Sequence, residues 1–227
     1  MPLKKSKGQM YDWVTHQHAH LGGECAHGCS YCYVDSPRFG RPDRFKGELR
    51  LLEDEFRVNY GSGRTIFIDH MNDLFADAVP MVWIERVLLH CARYPDNTYV
   101  FQTKNPVRYL ECEPLPENII LGTTIESNRF FPEVMQKSPS PIYRVEPMVQ
   151  VKHKKFVTIE PILDFDLDTL LAWIVKINPD FVNIGADSKG RGLPEPKWGK
   201  VEGLIHGLFA AGVTIRKKMN LDRLNSV

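Results

Sequence analysis

Apolar positions along the chain follow two periods. From Thr65 onward, short runs rich in β-branched and aromatic residues alternate with longer stretches whose apolar residues recur at helical spacing. The short runs predict strands over Thr65–Asp69, Thr98–Thr103, Ile119–Ile125, Phe156–Ile159 and Phe181–Gly185, with a short last strand over Val213–Arg216. Helices are predicted over Val79–Tyr94, where Val82, Val87, Leu88 and Cys91 fall on or near one stripe, over Asp166–Ile177, and over Lys197–Ala211, ended by Gly212. Asn105-Pro106 opens a short helix with Asn105 as its N-cap. Asn128–Gln136 and Arg144–Val151 are helical candidates separated by the proline-rich Ser138–Pro141.

Before Thr65 the pattern is weaker. Met1–Tyr11 reads as a polar, mobile lead-in. Asp12–Leu21 alternates as a strand, which places His16, His18 and His20 on one face. Such a face can bind a metal or line a polar cavity, and the second reading is preferred. A helix is expected near Glu48–Phe56. Arg38, Arg41, Arg44 and Lys46 are scattered through the least regular stretch, either as a rim that meets phosphates or as ordinary solvated charges.

Strands alternating with helices imply a parallel sheet with helices outside it. Counting His16–Leu21 gives six major strands and a short terminal one, too few for a closed eight-strand barrel. The fold expected is α/β, an open partial (β/α)6 TIM-like barrel in a single domain spanning 1–227. Ligands of parallel sheets sit at the carboxyl ends of the strands. That rule gathers one mouth from Asp69, His70, Asn72 and Asp73, Gln102 and Lys104, Thr124 and Glu126, Glu160, Asp187, and Lys217 or Lys218. For Asp69 and Glu126, a structural cap or ion pair and a ligand contact are equally open readings.

Composition narrows the classes. Hydrophobic residues at 43% and charged residues at 25% are ordinary globular values. A net charge of +1 gives no global case for nucleic acid or membrane. No apolar run approaches the roughly 20 residues of a spanning helix, and the basic N-terminus lacks the apolar stretch of a signal peptide. Five cysteines, three clustered and Cys91 and Cys112 isolated, point to a reducing cytoplasm rather than a disulfide framework.

The clustered three carry the chemistry. Glu24–Val34 reads E-C-A-H-G-C-S-Y-C-Y-V, and Cys25, Cys29 and Cys32 can curl toward one centre in a loop over residues 22–34. Three thiolates fill three corners of a [4Fe–4S] cube and leave the fourth iron open. With His20 or His27 they also make a candidate Cys₃His zinc site, although only one C-x2-C-like half is present.

C-x3-C-x2-C with Tyr31 before the last cysteine resembles the signature of radical S-adenosylmethionine (SAM) enzymes. Ile66–Phe75, Tyr99–Pro106, Ile120–Glu126 and Thr158–Pro161 extend the likeness, over roughly Trp13 to Met219, to a bacterial and phage-associated radical SAM family of undefined reaction. The resemblance implies a partial barrel, a [4Fe–4S] cluster held by Cys25, Cys29 and Cys32, and SAM chelating the open iron. It implies reductive cleavage of SAM to a 5′-deoxyadenosyl radical, fed by an electron donor such as flavodoxin or ferredoxin. It places Tyr31 against the adenine and Asp69, Asn72 and Asp73 near the SAM amino group. It places Thr124 and Glu126 at the ribose, and Ile159 and Gly185 at adenine through their backbones. The G-G-E of many relatives is absent. Lys104, Glu160 and Asp187 remain as candidate catalytic groups of the mouth.

Three functions fit the residues: a radical SAM enzyme acting on a nucleic-acid base or nucleoside, one acting on a small metabolite or peptide, or a non-catalytic zinc or iron–sulfur module that binds a partner. The expected protein is a cytoplasmic monomer or small homo-oligomer with no membrane partner.

Overall fold

A computed structural model describes residues 3–7, 10–35 and 43–226. Its centre is an eight-stranded sheet. The strands, with two short ones outside it, are β1 (Lys4–Lys5), β2 (His16–His18), β3 (Leu21–Gly22), β4 (Arg50–Leu51), β5 (Thr65–Ile68), β6 (Thr98–Thr103), β7 (Ile119–Thr124), β8 (Lys154–Ile159), β9 (Phe181–Ile184) and β10 (Ile215–Lys217). The order in the sheet is β1-β2-β5-β6-β7-β8-β9-β10, parallel throughout except that β1 pairs antiparallel with β2. The expected α/β partial barrel is therefore present, with seven parallel strands and an added edge.

The helices are α1 (Met81–Ala92), α2 (Val107–Glu111), α3 (Pro132–Met135), α4 (Ile142–Gln150), α5 (Leu167–Ile177) and α6 (Trp198–Ala210). Strand alternation sorts the core into two. Ile66 and Ile68, Tyr99 and Phe101, and Val157 and Ile159 pack outward with Ile84, Val87, Leu170 and Leu204 of the helices. The intervening Phe67, Val100, Ile120, Phe156 and Phe181 pack inward. Near-continuous apolar runs suit strands covered on both faces. Gly122 makes the interior possible: a Cβ there would meet the Phe156 ring carbons at 2.1 Å.

The chain before β2 is built into this interior. Tyr11 and Trp13 stack on each other with centroids 5.4 Å apart, and Trp13 meets Phe156 and Phe181 edge-on at 5.7 and 5.3 Å. Together they floor the barrel, and β1 extends its edge, so the lead-in is structured where it is described.

Several expected elements differ. The single strand over Asp12–Leu21 is split, because the Asp69 carboxylate accepts the backbone N–H groups of His20 and Leu21 at 2.8 Å each and turns the chain out of the sheet. His16 and His18 pair with Ile66 and Ile68 and so point outward, leaving Gln17 inward. The histidines therefore do not line the cavity; His18 and His20 are buried against Tyr60 and His90. The helix expected near Glu48–Phe56 is β4 and a 3-10 turn over Glu53–Arg57. Asn105 does not cap α2: its amide donates to Phe75 O and Asp77 Oδ1 instead. The helix over Asn128–Gln136 shrinks to α3, and α4 begins two residues before Arg144. Asp166 is the N-cap residue of α5, but its carboxylate binds Arg129 and Asn128.

Candidate active site

The carboxyl ends of the parallel strands open into a cavity of about 560 Å³. That volume lies within the ordinary range for a small-molecule site. Its floor is a hydrogen-bonded layer. Tyr11 Oη donates to Gln102 Oε1 at 2.8 Å and lies 2.7 Å from Thr158 Oγ1. Gln102 Nε2 donates to Thr124 Oγ1 at 2.8 Å, and Asn183 Nδ2 to Thr158 Oγ1 at 3.2 Å.

Cys25, Cys29 and Cys32 line one wall, and all three are free thiols. Burial, with the Asp73 charge adding to it, pushes the Cys25 thiol up to about 11, and burial also raises Cys32. Lys104 counters both shifts and lines the same cavity. Its ammonium stands 5.4 Å from the Tyr31 ring centroid. Burial works against that charge, but Cys29 and Glu126 leave its pKa raised.

The donor set fits a cluster better than a single ion. Among the described residues, no three His, Cys, Asp or Glu side chains are grouped to ligate one metal. A tetrahedral zinc draws its sulfurs to about 3.8 Å of one another, given Zn–S of about 2.3 Å; thiolates on separate irons of a cube stand farther apart. Both proposed zinc histidines are also engaged: His27 Nε2 lies 2.7 Å from Asp73 Oδ2, and His20 Nε2 lies 2.9 Å from His90 Nδ1.

The acids of the mouth are largely committed to the protein. Asp73 holds His27 and accepts Lys104 N–H at 2.8 Å and Phe75 N–H at 3.0 Å. These partners overcome its burial and hold it down at about 2. Asp69 serves the turn already described. Asn72 differs: its amide donates to Gly23 O at 3.2 Å, while its buried Oδ1 has no partner among the described residues, and it lines the cavity. Glu160 pairs with Lys218 at 2.8 Å and accepts from Asn220 at 3.1 Å. Asp187 accepts backbone N–H groups of Lys189, at 2.9 Å, and Arg191. The carbonyl of Ile159 accepts Gly185 N–H at 3.0 Å, and that of Gly185 accepts Ile162 N–H at 2.8 Å.

Glu126, for which the sequence leaves an ion pair and a ligand contact both open, is engaged by the protein. It is fully buried and does not line the cavity. Arg144 Nη1, also fully buried, donates to its Oε2 at 2.8 Å, and Tyr31 Oη donates to its Oε1. Glu126 thus anchors Tyr31 from behind. Thr124, two residues earlier, does face the cavity.

Three residues of the site escaped the sequence reading. Arg144 opens a helical candidate, but nothing in that pattern announces its ion pair with Glu126. Arg191 donates to the carbonyls of Ser30 and Cys32 at 2.7 and 2.8 Å, so the loop after β9 straps the cysteine loop. Tyr11 lay in a segment read as polar, although the paired aromatics Tyr11 and Trp13 were a usable signal.

Of the scattered basic residues, the two described ones are held in ion pairs. Arg44 is drawn inward to Glu55 and to Ala19 O, both at 3.1 Å, and Lys46 pairs with Asp43 at 2.8 Å. Arg38 and Arg41 lie outside the described residues.

Residues 12–199 match the model of a family described as "Protein of unknown function (DUF5131)". No curated protein matches the chain. Among solved structures, a spore photoproduct lyase variant superposes with a TM-score of 0.63 at 11% identity, covering 94% of this chain and 80% of that one. A radical SAM methyltransferase from Sphaerobacter thermophilus gives 0.56 at 12% identity, covering 94% and 69%. SuiB of Streptococcus suis, bound to S-adenosylmethionine, gives 0.59 at 11% identity, covering 92% and 51%. Another structure of the lyase is complexed with dinucleoside spore photoproduct, and the chain spans 62% of it. These likenesses establish the fold as that of radical SAM enzymes.

Proposed function

The chain belongs to the DUF5131 family, and we propose that it is a radical SAM enzyme acting on a nucleic-acid base or nucleoside. One observation carries the reading: three free cysteines, spaced C-x3-C-x2-C, line a single cavity at the carboxyl end of a partial barrel. When bound, a [4Fe–4S] cluster with one open iron supplies the site that SAM chelates and the electron that cleaves it to methionine and a 5′-deoxyadenosyl radical.

The chain's own residues bind and orient. Cys25, Cys29 and Cys32 would hold the cluster as thiolates, and loading would release protons; burial keeps the Cys25 and Cys32 thiols protonated until then. The unpartnered Asn72 Oδ1 accepts from the SAM ammonium, with Asp73 fixing the adjoining turn. Thr124 offers a hydroxyl to the ribose, Tyr31 a ring to the adenine, and the Ile159 and Gly185 backbone a flank. Lys104 and Glu160 face the reacting group. The aromatic floor excludes water, which protects a radical from quenching. The lyase complexed with a dinucleoside supports the substrate class.

Anaerobic reconstitution tests the reading. It is expected to give about four irons per chain, lost on Cys25→Ala, Cys29→Ala or Cys32→Ala and kept on Cys91→Ala or Cys112→Ala. Reduced protein with SAM then releases 5′-deoxyadenosine. A colourless protein that retains only zinc, or intact SAM over a demonstrably reduced cluster, overturns it.

A further inference from the structure

Among the described residues the barrel does not close, and its two edge strands carry the same charge. One edge is β1 with the residues that follow it, bearing Lys4, Lys5 and Lys7; the other is β10 with Lys218, bearing Arg216, Lys217 and Lys218. The edges approach each other across the floor. Arg216 lies 5.5 Å from the Trp13 ring and 4.2 Å from the Phe181 ring, and Lys218 lies 5.2 Å from the Tyr11 ring. Lys7 and Lys218 line the cavity, one from each side, and the exposed Lys189 joins them at the mouth.

This charge is concentrated, because the whole chain carries only +1. β1, β2 and β10 contain no acidic residue. Glu160, the acid beside Lys218, is already held by that lysine and by Asn220. Lys4, Lys5, Lys7 and Lys217 are exposed and carry no ion pair among the described residues. Basic residues flanking a cavity mouth focus an anion toward it. The cavity is large enough for a small molecule and far too small for a polymer.

We propose that the gap between the two sheet edges docks the phosphate backbone of a single nucleic-acid strand, one base of which enters the cavity. A single strand is favoured because a base stacked in a duplex must first be extruded to reach an enclosed site. The docking surface stands on the edge charges alone; the fate of the inserted base rests on the radical SAM reading.

Fluorescence anisotropy with a short labelled oligothymidylate tests the surface, on the full chain as purified and after reconstitution. Binding is expected to weaken with salt, and replacing Lys4, Lys5, Lys7 and Lys217 together with Ala is expected to cost at least about tenfold in affinity and to flatten the salt slope by roughly 0.7 per lysine. Lys152→Ala with Lys154→Ala, two exposed lysines at the start of β8 that do not line the cavity, is expected to change affinity less than about twofold. Equal losses in the two variants, no binding at low salt, tighter binding of the matching duplex, or equally tight binding of polyglutamate overturns the proposal. Loss of oligonucleotide binding with iron retained sinks the surface alone. Iron lost with oligonucleotide binding kept sinks the radical chemistry alone.

Discussion

Glu126 shows how a residue can belong to a site without touching what the site holds. Its carboxylate is shared between Arg144 and Tyr31, and both charged groups of the pair are wholly removed from solvent. Burial alone would raise its pKa; the Arg144 and Lys104 charges and the Tyr31 hydroxyl together outweigh that and leave it lowered. Breaking one half of a buried pair strands the other, at a cost of about 3–5 kcal/mol. Glu126→Gln is therefore expected to lose about 3 kcal/mol in urea denaturation, with Tyr31→Phe losing about 1–2 as an acceptor goes unpaired. A Glu126→Gln protein of native stability but weakened SAM affinity would instead mean the carboxylate meets the ligand directly. The sequence placed Glu126 just past the carboxyl end of β7, on the face that Thr124 turns to the cavity, whereas its side chain lies behind the cavity wall. It could not show that Arg144, at the start of the predicted helix, reaches back past Pro139 to the Glu126 carboxylate.

Elements read well where both faces of a strand are apolar, as from β5 to β9, and poorly where side chains take over backbone hydrogen bonding, as where Asp69 turns the chain after β2. The cysteine spacing was legible because it is local; the strap that secures it is not, since Arg191 lies 159 residues from Cys32. Histidine misled most, because an alternating histidine run suits either face. In the structure His18 and His90 are buried between β2 and α1, next to His20, Tyr60 and Glu55. Burial, reinforced by the neighbouring histidines, lowers His18 to about 2 and His90 to about 4, so both are neutral in the fold. The unfolded chain takes up protons below about 6.5 while the folded chain does not, so stability falls on acidification. The loss starts near pH 6.5 and continues to about 4 for His90 and about 2 for His18. Urea midpoints between about pH 4.5 and 7.5 are expected to drop with acid in the native chain and to flatten in His18→Gln with His90→Gln. An unchanged acid slope in that double variant would place the titrating groups elsewhere.

For the whole molecule, the seven parallel strands and their order followed from alternation, but the antiparallel β1, the β3–β4 pair and the filling of the barrel did not. The Phe156 ring crosses the interior over Gly122, in a space where a methyl group would collide. Gly122→Ala is expected to cost about 1–3 kcal/mol as an overpacked core, and Phe156→Leu is expected to recover part of it when the two are combined. Simple additivity of the two losses would show that the ring and the glycine are not matched. No helix among the described residues is long and apolar enough to cross a membrane.

The aromatic floor also sets an order of maturation. Tyr11 and Trp13 emerge from the ribosome well before their partners Thr158, Phe181 and Arg216. Contacts so distant along the chain form late. A nascent chain that already displays Cys25, Cys29 and Cys32 therefore still has a bottomless barrel, and the cavity those thiols line becomes a chamber only when β9 and β10 are in place.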